Sequence, residues 1–211
     1  MQVKKYEHSE LVIELAGEHL IIDPGSFSMP LGDIGDVVAV VITHEHPDHW
    51  TPEQLQRILD RNPDARVFGP PGVVAAAADF EITPTKDGDV VDVGGFTLAF
   101  FGEKHAVIHE SIPVIDNVGV LVNDTLWYAG DSFHVPPVPV DTLAAPLGAP
   151  WLKISEAIDY VLAVAPKRAF PVHEMTLSTA GKGMHVDRLT WATEQGGGDF
   201  HALEPGETLD I

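Results

Sequence analysis

Residues 43–50 read Thr43-His44-Glu45-His46-Pro47-Asp48-His49-Trp50, three imidazoles and two carboxylates set directly behind the apolar run Val37 to Ile42. A near-continuous β-branched run of this kind is expected as a strand buried on both faces. Nitrogen and oxygen donors at this density suit a zinc-type ion, whose catalytic sites keep one position open for water. Two histidines at i and i+2 on a strand end can converge on one ion. Asp48 and His49, just beyond, can serve a second. Histidines idle in an exposed loop are the plainer reading, and it is a poor one for a segment in which every ligand type is suitable.

Three more candidates stand in the same local context. His105 follows the expected strand Phe96 to Phe101, Asp131 follows Leu126 to Ala129, and His173 follows Ala169 to Val172. Taken singly, each is an ordinary residue at the end of a strand. Ligands at the ends of different strands can meet on one sheet edge, so their shared placement makes a joint site the better reading.

The remaining pattern supports a mixed chain. Strands are expected at Glu10–Leu15, at His19–Ile22 (stopped by Asp23-Pro24-Gly25) and at Arg66–Phe68. A further pair is framed by Asp87-Gly88 and Gly94-Gly95, and a hairpin of Val118–Val122 with Thr125–Ala129 turns at Asn123-Asp124. Arg168–Val172 and a closing strand in the tail complete the set. Helices are expected from Thr51-Pro52 onward, over Gly72–Asp79, over Lys153–Ala165 and over Val186–Gln195. The proline-rich stretch Pro136 to Pro150 reads as a surface loop, either one wall of the site or a simple connection. No repeat or linker divides the chain, and 211 residues suit one domain spanning 1–211.

These motifs resemble the metallo-β-lactamase superfamily. Its His-x-His-x-Asp-His signature is met by His44, His46, Asp48 and His49, and its order of a later His, then Asp, then His is met further on. The resemblance runs from about residue 8 to 175 and includes Leu20-Ile21-Ile22-Asp23-Pro24-Gly25. It is strongest to the branch of ascorbate-phosphate lactonases and phospholipase D-type members. Gly102-Glu103-Lys104-His105 stands where glyoxalase II relatives carry Gly-His-Thr-x-Gly-His, which argues against a glyoxalase.

The resemblance implies an α/β fold, a four-layer αβ/βα sandwich, and two divalent ions, zinc in the first place with manganese or iron as alternatives. His44, His46 and a later histidine would hold the first ion. Asp48, His49 and His173 would hold the second, with Asp131 bridging. His105 is preferred over His109 as the later histidine because it stands nearer the strand end. His109 is then left to face substrate. His8, in a His-Ser pair resembling the start of this branch, either approaches the site or is structural.

The implied chemistry is hydrolysis of a small ester, lactone or phosphodiester by a metal-activated water. Asp48 would orient the nucleophile, and His109 or His134 would protonate a leaving group. No Gly-x-Ser-x-Gly motif and no cysteine offer a covalent alternative. The rivals are an iron-dependent redox enzyme of the sulfur dioxygenase type and a non-catalytic metal-binding module. A net charge of −20 opposes nucleic-acid partners and anionic membranes, and with them a nuclease. The expected partner is a small-molecule substrate, with homo-oligomerisation left open. Residues 1–8 lack the apolar core of a secretory signal, so a cytoplasmic protein is expected.

Overall fold

The computed structural model describes all 211 residues. Six strands come first: β1 (Gln2–Lys5), β2 (Leu11–Leu15), β3 (Glu18–Ile22), β4 (Val37–Val41), β5 (Arg66–Gly69) and β6 (Ile82–Pro84). Seven follow: β7 (Val90–Val93), β8 (Phe96–Phe101), β9 (Gly119–Val122), β10 (Leu126–Tyr128), β11 (Thr142–Pro146), β12 (Arg168–Val172) and β13 (Asp199–Phe200), before β14 (Thr208–Asp210). They form two sheets, in the orders β14-β1-β2-β3-β4-β5-β6 and β13-β12-β11-β10-β9-β8-β7. Each sheet is antiparallel in one half and parallel in the other: β3 through β6 run parallel, as do β10 through β13.

The sheets pack face to face over a shared apolar layer built from residues such as Ile13, Leu20, Val41, Phe68, Phe100, Val120, Tyr128 and Phe170. Helices α1 (Pro52–Arg61) and α2 (Pro71–Ala76) cover the outer face of the first sheet. Helices α3 (Ile154–Val164) and α4 (Thr179–Gln195) cover the second. Each side chain such as Leu55 or Val161 that leaves water for these layers contributes roughly 1.5–3 kcal/mol, which locks helices to sheets. The result is the four-layer sandwich. No helix is long and apolar enough to cross a membrane.

The local signals that start β4 and α1 also fix the histidine-rich turn between them. Thr51 accepts a hydrogen bond from the Gln54 N–H at 3.1 Å, and Pro52 occupies the first turn, so α1 begins directly behind Trp50. At its far end Asn62 accepts from Val37 N–H at 3.1 Å, tying the helix to the first residue of β4. Asn123 and Asp124 both adopt positive φ, as a tight turn between β9 and β10 requires.

Two expectations are corrected. The stretch Pro136 to Pro150 is not a simple surface loop: it contains β11, every residue of which is buried between β10 and β12. Its short Leu-Ala-Ala core fits a parallel strand covered on both faces, and the surrounding prolines disguised it. Helix α4 begins at Thr179, seven residues before Val186, with Ser178 accepting from Gly181 N–H at 3.1 Å. Gly181 and Gly183 weaken the local helix signal, so the cap and the packing decide the start. The short strands β1, β6 and β13 carried too little alternation to be read.

Candidate metal centre

The turn from His44 to His49 leaves the end of β4 and is clamped from two sides. Pro47 O accepts from Ser26 N–H at 2.8 Å, and His46 O accepts from His49 N–H at 3.0 Å. Gly25 lies so close that a Cβ there would stand 1.8 Å from Asp48 O. The Asp23-Pro24-Gly25 turn is therefore the wall against which the histidine turn is moulded. Trp50 does not line the site: its ring is buried in the outer apolar layer near Phe80, and its N–H donates to Glu45 O at 3.2 Å.

Strand ends bring the distant residues to this turn. His44, His46, His105 and Asp131 form one group of potential ligand atoms, all within 4.8 Å of one another. Asp48, His49 and His173 form a second with the same spacing, joined by His8. Asp131 stands between the groups: its oxygens lie 3.2 Å from His49 Nε2, 3.3 Å from His105 Nε2 and 3.1 Å from His173 Nε2. All seven residues read from the sequence as ligands converge. His46 and Asp48 are partly exposed, whereas the others are buried, so the centre opens on their side.

The far side of each ring is fixed by an oxygen. His49 Nδ1 faces Asp23 Oδ2 at 2.7 Å, His173 Nδ1 faces Gly148 O at 2.7 Å, and His105 Nδ1 faces Ala106 O at 2.5 Å. With Nδ1–H donating outward, each Nε2 keeps its lone pair for the centre, as histidine ligands of metals require. Asp23 is the organiser. Fully buried, it also accepts from Thr43 N–H at 2.8 Å, Thr43 O–H at 2.7 Å and Tyr128 O–H at 2.9 Å. Sequence reading placed Asp23 only in a turn motif; a carboxylate at the end of an apolar strand was the available signal. Trp151 donates its indole N–H to Asp131 Oδ2 at 2.7 Å.

Charge follows the geometry. Burial drives the His44 imidazole well below its ordinary pKa, so it is neutral. Burial opposes charge on His49 too, but Asp131 and Asp23 outweigh it and hold that ring well above the usual range. His173 is likewise raised against its burial, by Asp131. Burial would also neutralise Asp131, yet His173 and His49 keep it ionised, well below the usual carboxylate range. Protons on His49 and His173 thus offset the Asp131 charge, and a cation held by these residues would take their place.

The donor set passes a stricter test. Nε2 of His49, His105 and His173 and Oδ1 of Asp131 are buried without a hydrogen-bond partner. Buried polar atoms are normally satisfied, and four such orphans, two in each ligand group, call for partners that the protein itself does not supply. A divalent cation with nitrogen and oxygen preference fits that chemistry.

The structure does not bring His109 and His134 into either group. His109 is exposed on the loop after His105, with Nδ1 2.7 Å from Ser111 Oγ. His134 lies beside Gly102 and the Trp127 ring, on a cleft lined by Glu103, Ala106, Ser132 and Phe133. His19 and His185 bind backbone oxygens away from the centre, at Gly35 O and Leu147 O.

Two sheets with candidate ligands at the ends of β4, β10 and β12 define a metallo-hydrolase-like sandwich with its candidate site at the sheet edge. A family model for the beta-lactamase superfamily domain matches residues 2–173, and the chain belongs to that superfamily. Among relatives, Protein Rv0786c of Mycobacterium tuberculosis is 39% identical over 208 residues, 96% of each chain. A UPF0173 metal-dependent hydrolase of Sulfurisphaera tokodaii is 24% identical, covering 100% of this chain and 99% of its own. Among solved structures, Igni18, a metallo hydrolase from Ignicoccus hospitalis, matches with TM-score 0.75 and 19% identity over 99% of this chain and 97% of that one. At that identity the likeness speaks for the fold alone.

Proposed function

We propose that the chain is a metal-dependent hydrolase with two divalent cations, zinc in the first place, acting on a small ester, lactone or phosphodiester. His44, His46 and His105 would hold one cation and Asp48, His49 and His173 the other, with Asp131 shared. The observation that carries this reading is the pair of ligand groups that meet at Asp131, with four buried, unpartnered atoms among them. When bound, such cations lower the pKa of water toward about 7 and stabilise negative charge on a substrate oxygen.

The chain's own residues do the rest. Asp48 is partly exposed; despite burial, which opposes its charge, the hydrogen bond from His8 and the proximity of His49 keep its pKa down to about 2. It is therefore an acceptor at neutral pH, able to orient a water molecule beside the centre. Asp23, Trp151 and the Gly148 carbonyl hold the ring and carboxylate directions, so reorganisation during reaction is small. Covalent catalysis by a thiol is excluded, since the chain has no cysteine.

Exposed apolar side chains favour a neutral carbonyl substrate over a phosphodiester. Phe27 packs edge-on against His8 with ring centroids 4.9 Å apart, and Val107 and Met175 stand two residues beyond His105 and His173. The strongly acidic chain adds repulsion for anions.

The test is a screen of zinc-loaded protein against chromogenic acyl esters, lactones and phosphodiesters, with His46→Ala as the blank. Neutral esters or lactones should turn over well above the blank. Elemental analysis accompanies the screen: coloured protein carrying iron and inactive toward every hydrolytic substrate would move the assignment to redox chemistry.

A further inference from the structure

We infer that His8 is a positioning residue that holds the metal-facing oxygen of Asp48, and that it is not itself a ligand. This rests on the reading of Asp48 as a ligand of the second cation. His8 lies in the turn between β1 and β2, fully buried, with φ 59°. Positive φ is uncommon for a residue with a Cβ and needs surroundings that enforce it. Here the enforcement comes from the ligand His173. His8 O accepts from His173 N–H at 2.8 Å, and the two rings lie against each other with centroids 3.9 Å apart.

The ring's two nitrogens face different partners. Nδ1 faces the backbone N–H of Met175 at 3.4 Å. A backbone N–H can only donate, so Nδ1 presents its lone pair and the ring proton sits on Nε2. Nε2 lies 3.1 Å from Asp48 Oδ2, a carboxylate oxygen placed to accept its proton. The two partners therefore demand the same tautomer. A nitrogen that carries a proton has no lone pair for a cation, which separates His8 from the three residues whose spacing it shares.

The oxygen that His8 holds is the one turned toward the second group. Asp48 Oδ2 stands 3.6 Å from His173 Nε2 and 3.8 Å from His49 Nε2. A carboxylate oxygen has two lone-pair directions: His8 takes one and leaves the other aimed between the two rings. No other side-chain hydrogen bond in the chain restrains this carboxylate, which sits on the solvent side of the centre. Without His8 it would turn toward water. The same logic applies to outer partners of metal ligands generally, whose loss costs about 10–100-fold in affinity.

The experiment compares the parent, His8→Ala and His8→Gln, each stripped by chelator and titrated with zinc by calorimetry, with elemental analysis of the loaded protein. Gln is chosen because its amide nitrogen reaches where Nε2 stands and can donate to Asp48. The parent should take two equivalents. His8→Ala should take the first unchanged and the second about 10–100-fold more weakly, and His8→Gln should recover most of that loss. Ester turnover should fall in kcat with KM little altered. Equal binding by His8→Ala and the parent would overturn the inference, as would a loss in both equivalents that Gln fails to restore. A parent that takes no zinc, or one equivalent only, would instead sink the two-cation reading itself. Should the variants not fold, nitrogen NMR of the zinc-loaded parent decides: a proton retained on His8 Nε2 supports positioning, and a deprotonated, metal-shifted Nε2 makes His8 a ligand.

Discussion

The indole N–H of Trp151 donates to Asp131 Oδ2 at 2.7 Å, and the same oxygen lies 3.1 Å from His173 Nε2 and 3.3 Å from His105 Nε2. Asp131 thus has one side fixed by a neutral donor, while its Oδ1 stays free of hydrogen-bond partners. Trp151→Phe keeps most of the buried ring against Phe133 but removes the donor. Metal affinity should fall about 10–100-fold with the fold retained. Zinc titration alongside near-UV circular dichroism checks this; an unchanged zinc isotherm would reduce Trp151 to packing.

Asp23 gathers Thr43, His49 and Tyr128 onto one buried carboxylate, so it fixes the end of β4 and a ligand together. Asp23→Ala leaves a buried backbone N–H, two hydroxyls and an imidazole N–H without their acceptor. Each such orphan costs about 1–3 kcal/mol, so the metal-free protein should lose several kcal/mol of stability. His49 also loses one of the two charges that raise it, and with it the orientation of its lone pair. Urea unfolding in chelator gives the first effect, and metal content after dialysis gives the second. Asp23→Asn, which keeps the size and one acceptor, should lie between.

The histidine turn, β4, α1 and the hairpin of β9 and β10 were legible because their signals are local: an apolar run, a Thr-Pro cap, an Asn-Asp turn. The convergence of His105, Asp131 and His173 was legible only through their common placement after strands, which family order then joined. Asp23 and Trp151 were not read as site residues, and His8 was left between site and structural roles, because their parts depend on which strands lie side by side. Nothing within ten residues of Asp23 announces that β3 pairs with β4. The hidden β11 shows the same limit: two flanking parallel strands, not its own composition, make a strand of Thr142–Pro146.

Gly25 is required for close approach rather than for backbone freedom. A Cβ there would meet Asp48 O at 1.8 Å, Asp48 C at 2.2 Å and His49 N at 2.7 Å, all backbone atoms that cannot step aside singly. Gly25→Ala must push the Asp23-Pro24-Gly25 turn away from the ligand turn and displace Asp48 and His49 together. The expected result is loss of the second zinc equivalent and a destabilisation of at least 1–3 kcal/mol, by about the cost of overpacking. Gly32→Ala, where a Cβ meets nothing within 4 Å, is the matched control and should be close to neutral. Equal zinc content in the two variants would contradict the steric argument.

Glu10 supplies a pH dependence that belongs to the fold rather than to the metal. It is fully buried, and neither carboxylate oxygen has a hydrogen-bond partner. Burial, opposed by the nearby Ser28 hydroxyl and reinforced by repulsion from Glu7 and Asp23, pushes its pKa up from 4.5 to about 8. Between those values the folded chain keeps a proton that the unfolded chain releases. The folded state therefore binds more protons across that window, and stability must fall as pH rises through it. At about 1.4 kcal/mol per pKa unit, the loss approaches a few kcal/mol by pH 8. Glu10→Gln replaces a neutral acid with a neutral amide, so the variant and parent should unfold alike at pH 5 in chelator. The gap should then open in favour of the variant up to pH 8. Parallel stability curves from pH 5 to 8 would show that Glu10 is ionised in the folded state and that a partner compensates it.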